Sequence, residues 1–191
     1  MEHPLSVPAK HALEMLKQGN EQYLNATVSQ GDISLSARQH TYLEKQHPYA
    51  IVVTCSDSRV IPESIFSAGI GELFVIRVAG NVLDDHQLGS IEYAASHLGS
   101  RIIVILGHTF CGAVDAAINS DPEGYIKFIT DEIKKAIGTE TDDYKACCLN
   151  VERSVFIIEN SLDIQHIEEE QGLAVVGAVY HLDSGKVEFL V

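Results

Sequence analysis

Apolar residues along the chain fall into two patterns. Three short runs, Tyr49–Thr54, Glu72–Val78 and Arg101–Leu106, are apolar at nearly every position and rich in β-branched side chains. Runs of that length belong to strands covered on both faces, as in a parallel sheet. Over Asp85–Leu98, by contrast, Leu88, Ile91, Ala94, Ala95 and Leu98 recur at helical spacing, and Gly99 closes the helix they predict. Ala12, Leu13, Leu16 and Tyr23 mark an N-terminal helix across residues 8–26, with Gly19-Asn20 as its weak point. A second short helix covers Ser36–Gln46 and stops before Pro48. Beyond residue 111 the pattern is mostly helical, over 111–119, 123–137 and 143–160. Leu173–Tyr180 and Lys186–Val191 then read as a hairpin across Asp183-Ser184-Gly185. Strands alternating with helices predict an α/β fold, a mainly parallel central β-sheet with flanking helices. The 191 residues suit one domain. Its parts are a helical arm (1–46), a core (47–114), and a C-terminal section of helices and hairpin (115–191).

Composition narrows the function classes. Thirteen Lys and Arg against 27 Asp and Glu leave a formal charge of −14. Sequence-independent nucleic-acid binding runs on phosphate neutralisation by basic side chains, and anionic membranes attract the same residues, so both are disfavoured. The longest apolar stretches, Ile102–Leu106 and Leu173–Tyr180, are far short of the ~20 residues that span a bilayer. The opening MEHPLSVPAKHALEMLK has no apolar signal core, which predicts a soluble cytoplasmic protein. In that reducing setting the four cysteines, Cys55, Cys111, Cys147 and Cys148, read as metal ligands or catalytic groups rather than disulfides.

Two of the predicted strands run straight into metal-capable residues. Residues 49–54 lead into Cys55-Ser56-Asp57-Ser58-Arg59, and residues 101–106 into Gly107-His108-Thr109-Phe110-Cys111-Gly112. Open parallel sheets bind ligands beyond the carboxyl ends of their strands, near the topological switch point. If the two strands are neighbours, Cys55 and His108 face one crevice and Cys111 joins them from a helix start, where the helix N-terminus favours thiolate. Two thiolates and an imidazole suit Zn²⁺ and leave its fourth position open, as a catalytic site needs. Asp57 and Arg59 beside them form a charge-assisted pair able to orient a water on the metal.

Cys-Ser-Asp-Ser-Arg-Val (55–60) with Pro62-Glu63, Phe74–Asn81, Ser90–Ala94 and Gly-His-Thr-Phe-Cys-Gly-Ala-Val (107–114) together closely resemble the β-class carbonic anhydrases. The resemblance is strong from Gln46 to Val114 and weaker through Val176–Gly185. It implies zinc-dependent reversible hydration of carbon dioxide to bicarbonate and a proton through zinc-bound hydroxide, one Zn²⁺ per chain on Cys55, His108 and Cys111. Asp57 and Arg59 would be the catalytic dyad, Arg59 holding Asp57 open rather than on the metal. Gln46, Phe74 and Tyr93 match pocket positions of plant-type members, Gln46 reaching across a dimer interface, and Val60 and Gly112 join the expected substrate pocket. An apolar wall from Phe74 and Val60 suits uncharged CO₂. His97 is a candidate proton relay, weighed against a structural histidine. A second subgroup carries a Trp three residues before its first zinc cysteine for a non-catalytic bicarbonate site; here that position is Val52. The family forms homodimers or larger homo-oligomers, and the amphipathic N-terminal helix is the element expected to pack on a partner subunit.

Other readings stay open on sequence alone. Relatives on this scaffold hydrolyse carbon disulfide or carbonyl sulfide with the same ligands. A non-catalytic structural zinc protein needs a fourth protein ligand, and a thiol hydrolase using Cys55 and His108 needs no metal. Elsewhere the plain explanations are preferred. Asp84-Asp85-His86 reads as a helix N-cap, Glu168–Glu170 as a solvated face, and Cys147-Cys148 as a helix packing pair. Gly107–Gly112 has phosphate-loop spacing but continues Ala-Val, so it is not a P-loop.

Overall fold

The computed structural model describes residues 6–190. Five strands, β1 (Ala50–Thr54), β2 (Leu73–Arg77), β3 (Ile102–His108), β4 (Ala174–Tyr180) and β5 (Val187–Leu190), form one sheet in the order β2-β1-β3-β4-β5. The first four are parallel and β5 returns antiparallel to β4. Val191, the last residue of the predicted hairpin, lies outside the described residues.

Side-chain alternation along the central strands divides the core into two layers. Ala50 and Val52 of β1, with Ile102, Val104 and Leu106 of β3, pack with Ala12 and Leu16 of α1 (Ala9–Asn25) and with Ile65 of the one-turn helix α3 (Pro62–Ile65). The intervening Ile51, Val53, Ile103 and Ile105 point the other way. There they meet Ile91, Ala94 and Ala95 of α4 (Asp85–His97), Val151 and Ile158 of α7 (Asp143–Glu159), and Ile164 and Ile167 of α8 (Leu162–Gln171). Covering on both faces is why these strands read as unbroken apolar runs. The remaining helices are α2 (Leu35–Glu44), α5 (Gly112–Asn119) and α6 (Ile126–Ile137).

The N-terminal helix differs from expectation at its middle. Gly19-Asn20 is no weak point, because both residues are buried inside one continuous helix. A Cβ on Gly19 would lie 1.9 Å from the Phe66 carbonyl oxygen, so only glycine allows this approach. Asn20 donates from Nδ2 to the carbonyls of Ile65 and Gly185 and accepts from the Val187 amide. Ala12 and Leu16 of its apolar stripe cover the chain's own sheet. Gly19→Ala is expected to lower stability by roughly 2 kcal/mol, the usual cost of overpacking, read as a lower urea midpoint at unchanged slope.

Two helices are absent from the sequence reading. α3 is a single turn with proline at its start, and α8 buries only Ile164 and Ile167, too few positions to show a period. Glu168–Glu170 form the exposed end of α8, with Glu168 half-buried. Asp84 caps α4, accepting from the His86 amide in a reciprocal arrangement with Gln87.

Candidate metal centre

The chain passes from β1 outward to the edge strand β2 and then back across to β3, so the switch point lies where β1 and β3 run side by side. Cys55 directly follows β1, His108 is the last residue of β3, and Cys111 caps the start of α5. All three are buried, at 4%, 1% and 2% exposure. One ligand atom from each lies within 4.8 Å of the others.

The donor set fits zinc on geometry and on chemistry. The two sulfurs are 4.0 Å apart, close to the ~3.8 Å that bonds of about 2.3 Å at a tetrahedral angle require. His108 Nδ1 donates to the Thr109 carbonyl at 3.0 Å, which leaves Nε2 as the ring's free lone pair. That Nε2 is buried with no hydrogen-bond partner, an orphan that a metal would satisfy. The Cys55 sulfur lies within hydrogen-bond reach of the Cys111 sulfur and accepts from the backbone amides of Gly80 and Asp57, at 3.2 and 3.4 Å. The neighbouring Cys111, with the imidazole and the two amides close by, draws the Cys55 thiol far below its usual range against the effect of burial. Cys111, buried beside that sulfur, is pushed up instead. A divalent ion is the partner that would let both ionise.

Around the sulfurs the wall is apolar. Val114 and Ala117 of α5, Ile133 and Ile137 of α6, and Ala146 of α7 pack with Cys55 and Cys111. Gly80 holds φ +67, and a Cβ there would press on Ile133 and Ala113 at 2.7 and 3.0 Å. Asn150 fixes the same turn by donating to the Gly80 carbonyl at 2.7 Å. Cys147, buried and pushed up to about 12 by that burial, donates to the His108 carbonyl at 3.3 Å.

Asp57 stands at the rim, its side chain 16% exposed. Arg59 donates to it three times, its backbone amide and Nε to Oδ1, each at 2.9 Å, and a terminal nitrogen to Oδ2 at 2.7 Å. These bonds hold the carboxyl well below the usual carboxylate range. Oδ2 is 3.9 Å from His108 Nε2, so the acid faces the ligand cluster without belonging to it. Arg77 supports the turn from β2, donating to the carbonyls of Cys55 and Asp57 at 3.1 and 2.7 Å.

Of the other residues expected in the site, Val60 and Gly112 adjoin the cluster, and the rest lie toward the far end of the sheet. Val60 donates its amide to the Asp57 carbonyl at 3.0 Å, but its side chain is fully buried in the α1 layer. Gly112 is exposed at the first position of α5. Phe74 pairs with Ile51, four residues and about 13 Å of strand before Cys55. Its ring meets that of the half-exposed Tyr93 at 6.3 Å, and Tyr93 stacks on His97 at 5.3 Å. His97 ends α4 just before β3 begins, about 20 Å of strand from His108 and too far for direct proton transfer to that site. Gln46 is exposed ahead of β1, also at the opposite end of the sheet. The supporting residues Arg77, Gly80 and Asn150 carry no role in the sequence reading. Arg77 and Gly80 stand inside the Phe74–Asn81 motif, a signal that was available, whereas nothing local marks Asn150.

The sequence model of a family described as carbonic anhydrase matches residues 50–187. Carbonic anhydrase 2 of Mycobacterium tuberculosis is 33% identical over 187 residues, covering 92% of this chain and 89% of the relative. The carbonic anhydrase of Mycolicibacterium smegmatis is 34% identical over 194 residues, covering 93% and 91%. Among solved structures, a tetrameric β-carbonic anhydrase of Sordaria macrospora superposes with a TM-score of 0.74 at 27% identity, covering 81% of this chain and 89% of that one. The Coccomyxa β-carbonic anhydrase, solved with acetazolamide, gives 0.71 at 30% identity, covering 81% and 79%. With the cysteine–histidine–cysteine cluster at the switch point of the same fold, the chain belongs to the β class of the carbonic anhydrase family.

Proposed function

We propose that the chain hydrates carbon dioxide reversibly to bicarbonate and a proton, with one zinc ion held by Cys55, His108 and Cys111. The observation that carries this reading is three buried donors, not four, with the carboxylate of Asp57 beside them and turned to Arg59. Three protein ligands leave a position for water, and when bound the metal supplies the Lewis acidity that ionises water near neutral pH. Asp57, ionised and acceptor-only, takes a hydrogen bond from the attacking water and fixes where its remaining lone pair points. Arg59 keeps Asp57 in that role. The apolar side chains of α5 and α6, buried behind the sulfurs, keep water from that side of the donor set. Free thiols suit a reducing compartment such as the cytoplasm, and no helix among the described residues is long and apolar enough to cross a membrane.

Gln46, Phe74, Tyr93 and His97 lie toward the end of the sheet away from the sulfurs of their own chain. They serve a substrate pocket only when a neighbouring copy brings them to it, so assembly as a homodimer or larger belongs to this reading. Exposed Leu35, Tyr42 and Leu43 on α2, a helix with no buried residue, fit a face covered in that way.

The test is CO₂ hydration by zinc-loaded protein between about pH 6.5 and 9. Two thiolates cancel the charge of the ion, so ionisation of water falls above the ~7 reached beside three neutral imidazoles. Activity is therefore expected to be low at the acid end and to climb with pH. Flat background rates in protein carrying one zinc per chain would sink the proposal.

A further inference from the structure

Phe110 has φ +55, a left-handed conformation that non-glycine residues keep only where their surroundings over-determine it. Its ring does not hold it there, being 67% exposed. The backbone does: the Phe110 amide donates to Asp143 Oδ2 at 2.8 Å, and the carbonyl accepts from a terminal nitrogen of Arg59 at 3.2 Å. That same nitrogen holds Asp57 Oδ2. Arg59 is itself 54% exposed, so the Phe110 carbonyl is its anchor apart from Asp57.

Asp143 is well placed to act as a fixed post. It opens α7, which is tied into the core by buried Ala146, Cys147 and Val151 and bonded to the metal turn through Asn150 and to His108 through Cys147. Asp57 Oδ2, at 3.9 Å from His108 Nε2, needs only a side-chain rotation to reach an ion held by that ring, and a carboxylate is a competent zinc ligand. What prevents the rotation is Arg59, and what aims Arg59 is the Phe110 carbonyl.

We infer that Asp143 is a positioning residue for the reaction: by pinning Phe110 in the left-handed region it directs the Phe110 carbonyl at Arg59 and keeps Asp57 off the metal. This rests on the proposed zinc reading. The competing role is structural, since an acid in the first turn of α7 also favours the helix dipole. Three variants separate the two. Asp143→Asn removes the charge and keeps an acceptor oxygen, Asp143→Glu keeps the charge and displaces it, and Asp143→Ala removes both.

The readouts are amide exchange at Phe110 in the full metal-free chain, the visible absorption of the cobalt-substituted protein, and kcat/KM for CO₂. One lost hydrogen bond corresponds to a factor of about ten. Asp143→Ala is expected to exchange Phe110 about tenfold faster, to shift the cobalt band toward that of four protein ligands, and to lose about tenfold in kcat/KM. Asp143→Glu should follow it, and Asp143→Asn should stay within roughly threefold of the parent protein. Wild-type exchange and cobalt band in Asp143→Ala would overturn the inference. So would Asn falling with Ala while Glu stays intact, which assigns Asp143 to the helix charge. If Asp143→Ala does not fold, the Asn and Glu pair carries the same comparison. An unmutated protein inactive toward CO₂ sinks the proposed function instead, and the exchange and cobalt data still decide on Asp143.

Discussion

Cys111→Ala is expected to remove both the metal and the reaction. Zinc content should fall from one per chain to near zero, and kcat/KM for CO₂ hydration by at least about a thousandfold, since the ion supplies the nucleophile near neutral pH. The effect compounds within the cluster. Cys55 loses the sulfur that faces it across 4.0 Å and reverts toward an ordinary buried thiol. His108 keeps its Nδ1 bond to Thr109, but its orphaned Nε2 is left with a poorer partner. Zinc is measured by atomic absorption after dialysis, and folding by circular dichroism. Because Cys111 packs beside Val114 and Ile133, a modest drop in melting temperature is expected even with the fold intact. Full zinc content with activity within tenfold of the parent would remove Cys111 from the ligand set.

Asp57→Asn separates metal binding from the dyad. The amide has the shape of the carboxylate but one acceptor oxygen, and its NH₂ group faces the Arg59 guanidinium, donor against donor. The 2.7 Å bond to Oδ2 is lost and the 2.9 Å bond to Oδ1 is left with an uncharged acceptor, and the rim no longer presents an anion to the attacking water. Zinc content should remain one per chain while kcat/KM falls about a hundredfold, the range for losing a group that handles a proton. Stability carries a sign that can be checked. Since the folded-state carboxyl is held below its ordinary value, its contribution is complete above about pH 4 and fades as the solution is acidified. The variant should therefore lose stability at neutral pH and converge on the parent protein in acid. Unchanged turnover in a zinc-replete variant would dismiss Asp57 from the mechanism.

The sequence exposed those parts of the molecule where chemistry and burial are both local. Ile51–Val53 and Ile102–Leu106 announced themselves because each residue is buried on one face or the other. Cys55, His108 and Cys111 were legible because each follows or begins a recognisable element. What a single chain's pattern misses is support that arrives from a distance. Arg77 reaches back 22 and 20 residues to two carbonyls, and Asn150 reaches 70 to Gly80. Neither leaves a mark in local periodicity. Gly19-Asn20 misled for a related reason, since the pair looks like helix punctuation until Phe66 and the C-terminal hairpin are brought beside it. The pocket residues differ in kind: Val60 packs into a core layer and Phe74 lies toward the far end of the sheet of its own chain, so a pocket role for Phe74 depends on a neighbouring copy that one chain's pattern does not contain.

Asn20 also dictates an order of assembly. Two of its bonds close loops of 165 and 167 residues, to Gly185 and Val187, nearly the whole length of the chain. During synthesis the first helix leaves the ribosome roughly ten to thirty seconds before the hairpin that satisfies Asn20 exists. Such late, long-range closure is slow by topology, so the side chain of Asn20 waits for the last strand although Ala12 and Leu16 can already pack on β1 and β3. Truncation at the C-terminal end is thereby felt at the N-terminal helix, where Asn20 loses its partners at Gly185 and Val187.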